Sequence, residues 1–302
     1  MAELEFADGP YFFPVTPFAV DGSVDVAALR SHVATGVEAG AGAVFAACGT
    51  GEFHALSFDE HAAVVAETVA EAAGRVPVIA GAGGPLGHAL ATAAAARSAG
   101  ADGLLVMPPY LVQGPQAGLV AYVTAIADAA QLPVIVYHRA TSQLTPETVA
   151  TLLANPAIVG IKDGVGDVAL TQRFVLEARR SGRDVLFFNG LLTAEMSQAA
   201  YRAIGVPLYS SAVFAMAPDI AMAFYRAYQA QDEEAQSRLL AGFYAPLVAL
   251  RDEVPGFAVS LIKAGLRLAG EPVGSVRAPL VDPTAEQESR LGHIIEQGRA
   301  LL

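Results

Sequence analysis

The chain holds two lysines against sixteen arginines, so lysine is not a generic surface residue here. One of the two, Lys162, closes the apolar run Ile158-Val159-Gly160-Ile161, where an ammonium is costly to bury. Desolvation lowers a lysine pKa and yields a neutral amine able to attack a carbonyl and form a Schiff base. The plainer alternative is a strand-end lysine that reaches solvent or pairs with Asp163. Tyr137 likewise ends an apolar run, Val134-Ile135-Val136. Its phenol could shuttle protons beside an imine, or be an ordinary core tyrosine with a satisfied hydroxyl. Gly49-Thr50-Gly51 can turn backbone N–H groups and a hydroxyl toward a carboxylate, although tight turns share that composition.

Other reactive side chains read as structural. Lys263 lies inside the helical run Ala258–Leu268, and Glu52 sits at a helix entrance, where a carboxylate caps or pairs. Cys48 has no histidine-centred partner and reads as a small packed residue. The six histidines show no HExxH pattern, and His54 and His61 lack a third ligand, so no metal and no other cofactor is expected.

Positioning these residues requires a scaffold, and the pattern supplies one. Eight strand-like runs recur at Tyr11–Val15, Ala43–Ala47, Pro77–Ala80, Gly103–Met107, Val134–Tyr137, Ile158–Lys162, Val185–Phe188 and Pro207–Ser210. Helical segments lie between them, among them Val26–Ala39, Phe58–Ala73, Pro115–Ala130 and Leu170–Arg180. Ser57 followed by Glu60 forms a capping box, Thr145-Pro146 opens a helix, and Gly40, Gly74, Gly100 and Gly205 close others. Alternating strands and helices predict a parallel sheet, and eight repeats predict a closed (β/α)8 TIM barrel. The Rossmann alternative needs a phosphate fingerprint, and the spacing in Gly81-Ala82-Gly83-Gly84-Pro85-Leu86-Gly87 is wrong for one. Helical runs at Ile220–Ala230, Glu233–Arg251, Phe257–Ala269 and Thr284–Leu302 follow the last strand. The expected division is a catalytic barrel over 1–230 and a C-terminal helical domain over 231–302.

Active sites of such barrels lie where strands end and βα-loops begin. Those ends carry Thr50, Tyr137, Arg139, Lys162, Asn189, Ser210 and Ser211. Of these, Ser210 and Ser211 could hydrogen-bond a polar substrate or simply belong to loop structure.

Composition narrows the partners. Apolar residues make up 54% and charged ones 16%, enough for a large core and too little charge for disorder. A net charge of −12 argues against nucleic acid and anionic membranes, yet a site can be locally positive. A single cysteine allows no intrachain disulfide and fits a reducing cytoplasm. The start, Met1-Ala2-Glu3-Leu4-Glu5, lacks the layout of a signal peptide. The uncharged run Gly103–Ala127 holds three prolines and reads as strand, loop and helix rather than a membrane span.

Taken together, Pro14-Val15-Thr16-Pro17-Phe18, Gly49-Thr50-Gly51-Glu52, Tyr137 and Gly160-Ile161-Lys162-Asp163 resemble the dihydrodipicolinate synthase / N-acetylneuraminate lyase family. The resemblance spans nearly the whole chain. It implies a barrel with a C-terminal helical domain, a 2-keto acid substrate and a homo-oligomer, usually a tetramer. It also implies that Lys162 forms the imine, Tyr137 transfers the proton, and Thr50 with nearby N–H groups holds the carboxylate beside the keto carbon. Where the family reads Gly-Thr-Thr-Gly-Glu, this chain has Cys48-Gly49-Thr50-Gly51-Glu52, and the relay tyrosine falls at Leu111. Two of three relay hydroxyls are missing, which argues against synthase chemistry. Lys162-Asp163-Gly164-Val165-Gly166-Asp167, Tyr209-Ser210-Ser211-Ala212-Val213-Phe214 and Val276-Arg277-Ala278-Pro279-Leu280 are similar instead to a subgroup of decarboxylating dehydratases acting on keto-sugar diacids. That subgroup's Tyr-Asn-Arg-Ala reads Tyr137-His138-Arg139-Ala140 here. A diacid needs a second anion site, for which Arg139, Ser210 and Ser211 are the motif-linked candidates. The other readings are an aldolase of the same family and a catalytically silent binding barrel.

Overall fold

A computed structural model describes residues 4–302. Met1, Ala2 and Glu3, which open the acidic start, lie outside the described residues. Eight parallel strands close into a barrel in sequence order, as expected. They are β1 (Tyr11–Phe12), β2 (Ala43–Ala46), β3 (Val78–Gly84), β4 (Gly103–Pro109), β5 (Val134–His138), β6 (Ile158–Asp163), β7 (Leu186–Asn189) and β8 (Leu208–Ser211). Crossover helices α1 (Val26–Glu38), α2 (Phe58–Ala72), α3 (Leu86–Ser98), α4 (Gln116–Ala130), α5 (Pro146–Leu153), α6 (Val168–Ser181), α7 (Gln198–Ala203) and α8 (Pro218–Ala230) follow the strands in turn. Ser57 and Glu60 form the anticipated capping box, and Thr145 caps α5 with Pro146 in its first turn.

The first strand is shorter than expected. Its ladder stops at Phe12 because Pro14 and Pro17 lack the N–H groups that a longer pairing would use. The glycine-rich stretch before α3 belongs to β3 and serves packing. A Cβ on Gly81 would lie 2.4 Å from the Ala47 carbonyl oxygen, and one on Gly83 would lie 2.5 Å from Met107 Cβ.

Beyond the barrel come α9 (Glu233–Leu239), α10 (Ala245–Arg251), α11 (Phe257–Leu268) and α12 (Ala285–Arg299). The sequence predicts one helix over Glu233–Arg251. A π turn at Leu240–Tyr244 interrupts it, directly before Pro246. Proline offers no N–H and crowds the preceding turn, and a π turn relieves both demands. Among the described residues no helix is long and apolar enough to cross a membrane.

The barrel interior is filled by Tyr11, Phe13, Phe45, Ile79, Leu105, Ile135, Tyr137 and Phe188. A larger apolar cluster runs between the sheet and the helices and continues into α10, α11 and α12 through Leu250, Leu261 and Leu291. A buried ionic contact is among those that tie these late helices to the barrel mouth. Lys263 Nζ lies 2.6 Å from Glu52 Oε1, with both side chains fully buried. Lys263 also donates to the Ser275 carbonyl, and the Arg277 N–H donates to Glu52 Oε2. Glu52 and Lys263 are thus structural, as their sequence context suggests. Removing one member of such a pair strands a buried charge, which costs roughly 3–5 kcal/mol. Lys263→Met alone should therefore lower the urea midpoint sharply, while Glu52→Gln combined with Lys263→Met should recover most of the loss. Equal destabilisation by the single and the double variant would contradict this reading.

Candidate active site

Lys162 and Tyr137 are register partners on β6 and β5, so their side chains emerge side by side on the same face of the sheet. That face is the barrel interior. Lys162 Nζ lies 4.0 Å from the ring centroid of Phe13, 4.4 Å from that of Tyr137 and 5.6 Å from that of Phe188. No carboxylate lies within ion-pair distance of it among the described residues. Burial pulls its pKa down to about 7; nearby Arg139 pushes the same way and Cys48 opposes.

The pairing with Asp163 that the sequence left open does not form. Strand alternation sends Asp163 out of the barrel, where it accepts from the N–H groups of Val165 and Gly166 and the hydroxyls of Thr171 and Tyr201. Lys162 does not reach bulk solvent either, being 5% exposed.

Tyr137 donates its hydroxyl proton to the Gly190 carbonyl at 3.1 Å and accepts from Arg139 NH1 at 2.8 Å. Burial raises its pKa, and the Arg139 charge and hydrogen bond pull it back. Two glycines make room for this pair. A Cβ on Gly190 would sit 2.2 Å from Lys162 Cε, and one on Gly164 would sit 2.6 Å from Tyr137 Cε2. Cys48 is fully buried and its thiol is pushed up to about 12 by burial, which fits a packed residue rather than a thiolate.

Above Lys162 opens a cavity of about 640 Å³. Phe13, Leu105, Met107 and Tyr137 line its barrel side, and Val254 and Pro255, from the segment joining α10 to α11, line it together with Phe257 at the start of α11. Of the expected residues, the structure brings Gly49, Thr50, Tyr137, Arg139, Lys162 and Ser210 to this wall. Three others lie off it. Asn189 is buried beneath, donating to the Ala194 carbonyl, Ser197 Oγ and Gln198 Oε1 and accepting from the Leu191 N–H. Ser211 alternates outward from Ser210, donates to Glu195 Oε1 and accepts from the Phe214 N–H. Gly51 is buried, with its carbonyl accepting from Thr16 Oγ1. Local hydrogen bonding occupies the Asn189 and Ser211 side chains and the Gly51 carbonyl, so the structure does not bring these three to the cavity wall.

The sequence did not signal His54 or Arg251, which also line the cavity. His54 stands in the single turn Phe53–Ala55, and Arg251 ends α10 in a run that reads only as helix. Among the described residues no three His, Cys, Asp or Glu side chains gather into a metal-binding group.

A (β/α)8 barrel with a desolvated lysine beside a tyrosine at the strand ends defines a class of carbonyl-binding proteins. The comparisons agree on which one. A family described as the Dihydrodipicolinate synthetase family matches residues 8–298, and the chain belongs to it. A protein of Streptomyces griseus subsp. griseus named probable 5-dehydro-4-deoxyglucarate dehydratase is 55% identical, over all of this chain and 95% of its own length. One of Paracidovorax citrulli with the same name is 44% identical over 94% of this chain and 93% of its own. The crystal structure of dihydrodipicolinate synthase from Bacillus clausii superposes with a TM-score of 0.87 at 24% identity, covering 97% of this chain and 98% of that one; that likeness is of fold.

A buried amine with no anionic partner is a burden on the folded state. With a folded pKa near 7, against 10.5 for ordinary lysine, the unfolded chain gains a proton that the folded one refuses. The loss of stability is full below about pH 7 and fades as the pH approaches the ordinary value. Lys162→Met should therefore abolish turnover yet raise Tm, by roughly 2–4 °C per kcal/mol recovered. The gain should shrink in scans at increasing pH. A fall in Tm at neutral pH would contradict the desolvated amine.

Proposed function

We propose that this enzyme is a decarboxylating dehydratase that converts 5-dehydro-4-deoxy-D-glucarate to 2-oxoglutarate semialdehyde, water and carbon dioxide through a Schiff base on Lys162. The carrying observation is an amine with no ionic partner, pulled down to about 7 by burial, on the floor of a cavity and against Tyr137. Family membership and the names of the relatives support the same reading.

Neutral Lys162 attacks the keto carbon, and the protonated imine acidifies the neighbouring methylene by acting as an electron sink. Proton loss gives an enamine, which expels the β-hydroxyl as water once an acid protonates it. Tyr137 is that acid. Its phenol stays protonated, and Arg139 stands 2.8 Å away to steady the phenolate that forms. The far carboxylate, on the carbon that keeps its hydroxyl, then leaves as carbon dioxide, its electron pair passing through the new double bond to the iminium, and the resulting enol takes up protons to become the aldehyde. Hydrolysis frees Lys162. Thr50 and the N–H groups beside Gly49 hold the carboxylate beside the imine carbon, which the product keeps, and Ser210 hydrogen-bonds the polar chain.

Aldol cleavage or condensation would need a second proton relay, and its positions are empty of hydroxyls. A Cβ on Gly49 would meet no atom within 4 Å, and Leu111 is 79% exposed. In this reading the barrel to residue 230 carries the chemistry, and the helices from 231 onward close its mouth. The enzyme works in the cytoplasm without a metal or other cofactor.

Incubation with 5-dehydro-4-deoxy-D-glucarate should release carbon dioxide and semialdehyde in equal amounts. Borohydride added during turnover should increase the mass of the peptide carrying Lys162. Pyruvate with an aldehyde and no carbon dioxide would move the protein to the aldolases, and a label on Lys263 alone would overturn the mechanism.

The assembly we propose is a homotetramer. The loop after β4 exposes Tyr110, Leu111 and Val112 in succession, an apolar run suited to burial against another copy. Sedimentation should give a tetramer, and Leu111→Asp a smaller species. A stable monomer at micromolar concentration would rule this out.

A further inference from the structure

Besides Lys162, the cavity wall carries among the described residues two arginines, Arg139 and Arg251, and a single acid, Asp252. The site is therefore locally positive inside a chain of net charge −12, the sign that a dianionic ligand requires. The two arginines are not equivalent. Arg139 is committed to Tyr137, donating to its hydroxyl and leaning over its ring at 5.6 Å.

Arg251 enters from the C-terminal helices, at the end of α10. Its Nε donates to Asp252 Oδ1 at 2.8 Å, and its NH1 donates to Thr193 Oγ1 at 2.6 Å. Its NH2 has no partner among the described residues, so one amino group of the guanidinium is free. The side chain is only 16% exposed, whereas Asp252 is 61% exposed and its charge is correspondingly screened. Thr193 lies three residues after Gly190, which packs on Lys162. One short loop thus ties the guanidinium that carries this free amino group to the amine. A guanidinium held in place by two hydrogen bonds loses little freedom when it takes a carboxylate.

We propose that Arg251 anchors the carboxylate at the far end of the substrate from Lys162, so that the C-terminal helices, not the barrel, select a diacid over a monoacid. The anchor rests on the Schiff-base reading for the placement of the near end.

The test compares 2-oxoglutarate with 2-oxopentanoate, which has the same chain length and lacks the far carboxylate. Calorimetry on the full-length protein gives both affinities without requiring turnover. The wild type should favour the diacid. Arg251→Ala should weaken 2-oxoglutarate roughly tenfold to a hundredfold and leave 2-oxopentanoate within about twofold. Arg251→Lys, which keeps the charge and loses the fork, should fall between. Equal weakening of both acids in both variants would make Arg251 a structural residue and overturn the proposal. So would a wild type with no preference, or an unchanged preference in Arg251→Ala. Borohydride labelling of Lys162 by 2-oxopentanoate, followed separately, reports on the Schiff base alone. Its failure would therefore be distinguishable from failure of the anchor.

Discussion

The structure depends on keeping water away from one amine. Phe13, Tyr137 and Phe188 place ring faces around Lys162 Nζ, and the stacked Phe13 and Phe45, 4.4 Å apart, fill the barrel alongside. Each ring offers an ammonium some attraction, but none offers it a counter-charge. Burial therefore wins, and the amine is held close to neutrality at ordinary pH. The surrounding geometry serves that end. Register places Tyr137 beside Lys162, strand alternation turns Asp163 away, and Gly190 stays bare so that the lysine stem can pass.

The second lysine shows what one carboxylate changes. Lys263 is as deeply buried as Lys162, yet it has Glu52 at 2.6 Å. Burial pulls its pKa down while Glu52 pulls it back up. One lysine is a buried amine without a counter-charge, and the other is an ionic bolt joining α11 to the loop that carries Thr50. Val254, Pro255, Phe257 and Arg251 line the cavity from the same region, so the helices after the barrel belong to its wall as the strands do.

Much of this was legible in the sequence because the fold is built from local signals. Eight apolar strand runs, the Ser57–Glu60 box and Thr145-Pro146 act within a few residues, and each forms where it was expected, with β1 alone cut markedly short. Lys162 and Tyr137 stood out because a polar group ending an apolar strand has few places to go. Strand ends were harder. Side chains there alternate between cavity and core, so Ser210 reaches the cavity while Ser211 beside it and Asn189 on β7 do not. The early end of β1 and the π turn before Pro246 follow from missing proline N–H groups, which periodicity does not register. Arg251 and Gly190 act across contacts distant in sequence, and nothing local marks them.

The central claim is the charge state of Lys162, and the scarcity of lysine makes it directly measurable. Protein labelled with 13C at lysine Cε should give two resonances, with the one lost in Lys162→Met assigning the active amine. The account predicts that this resonance titrates near pH 7. A Lys162 signal that keeps its ammonium position to about pH 9 or beyond, as an ordinary lysine would, contradicts the account.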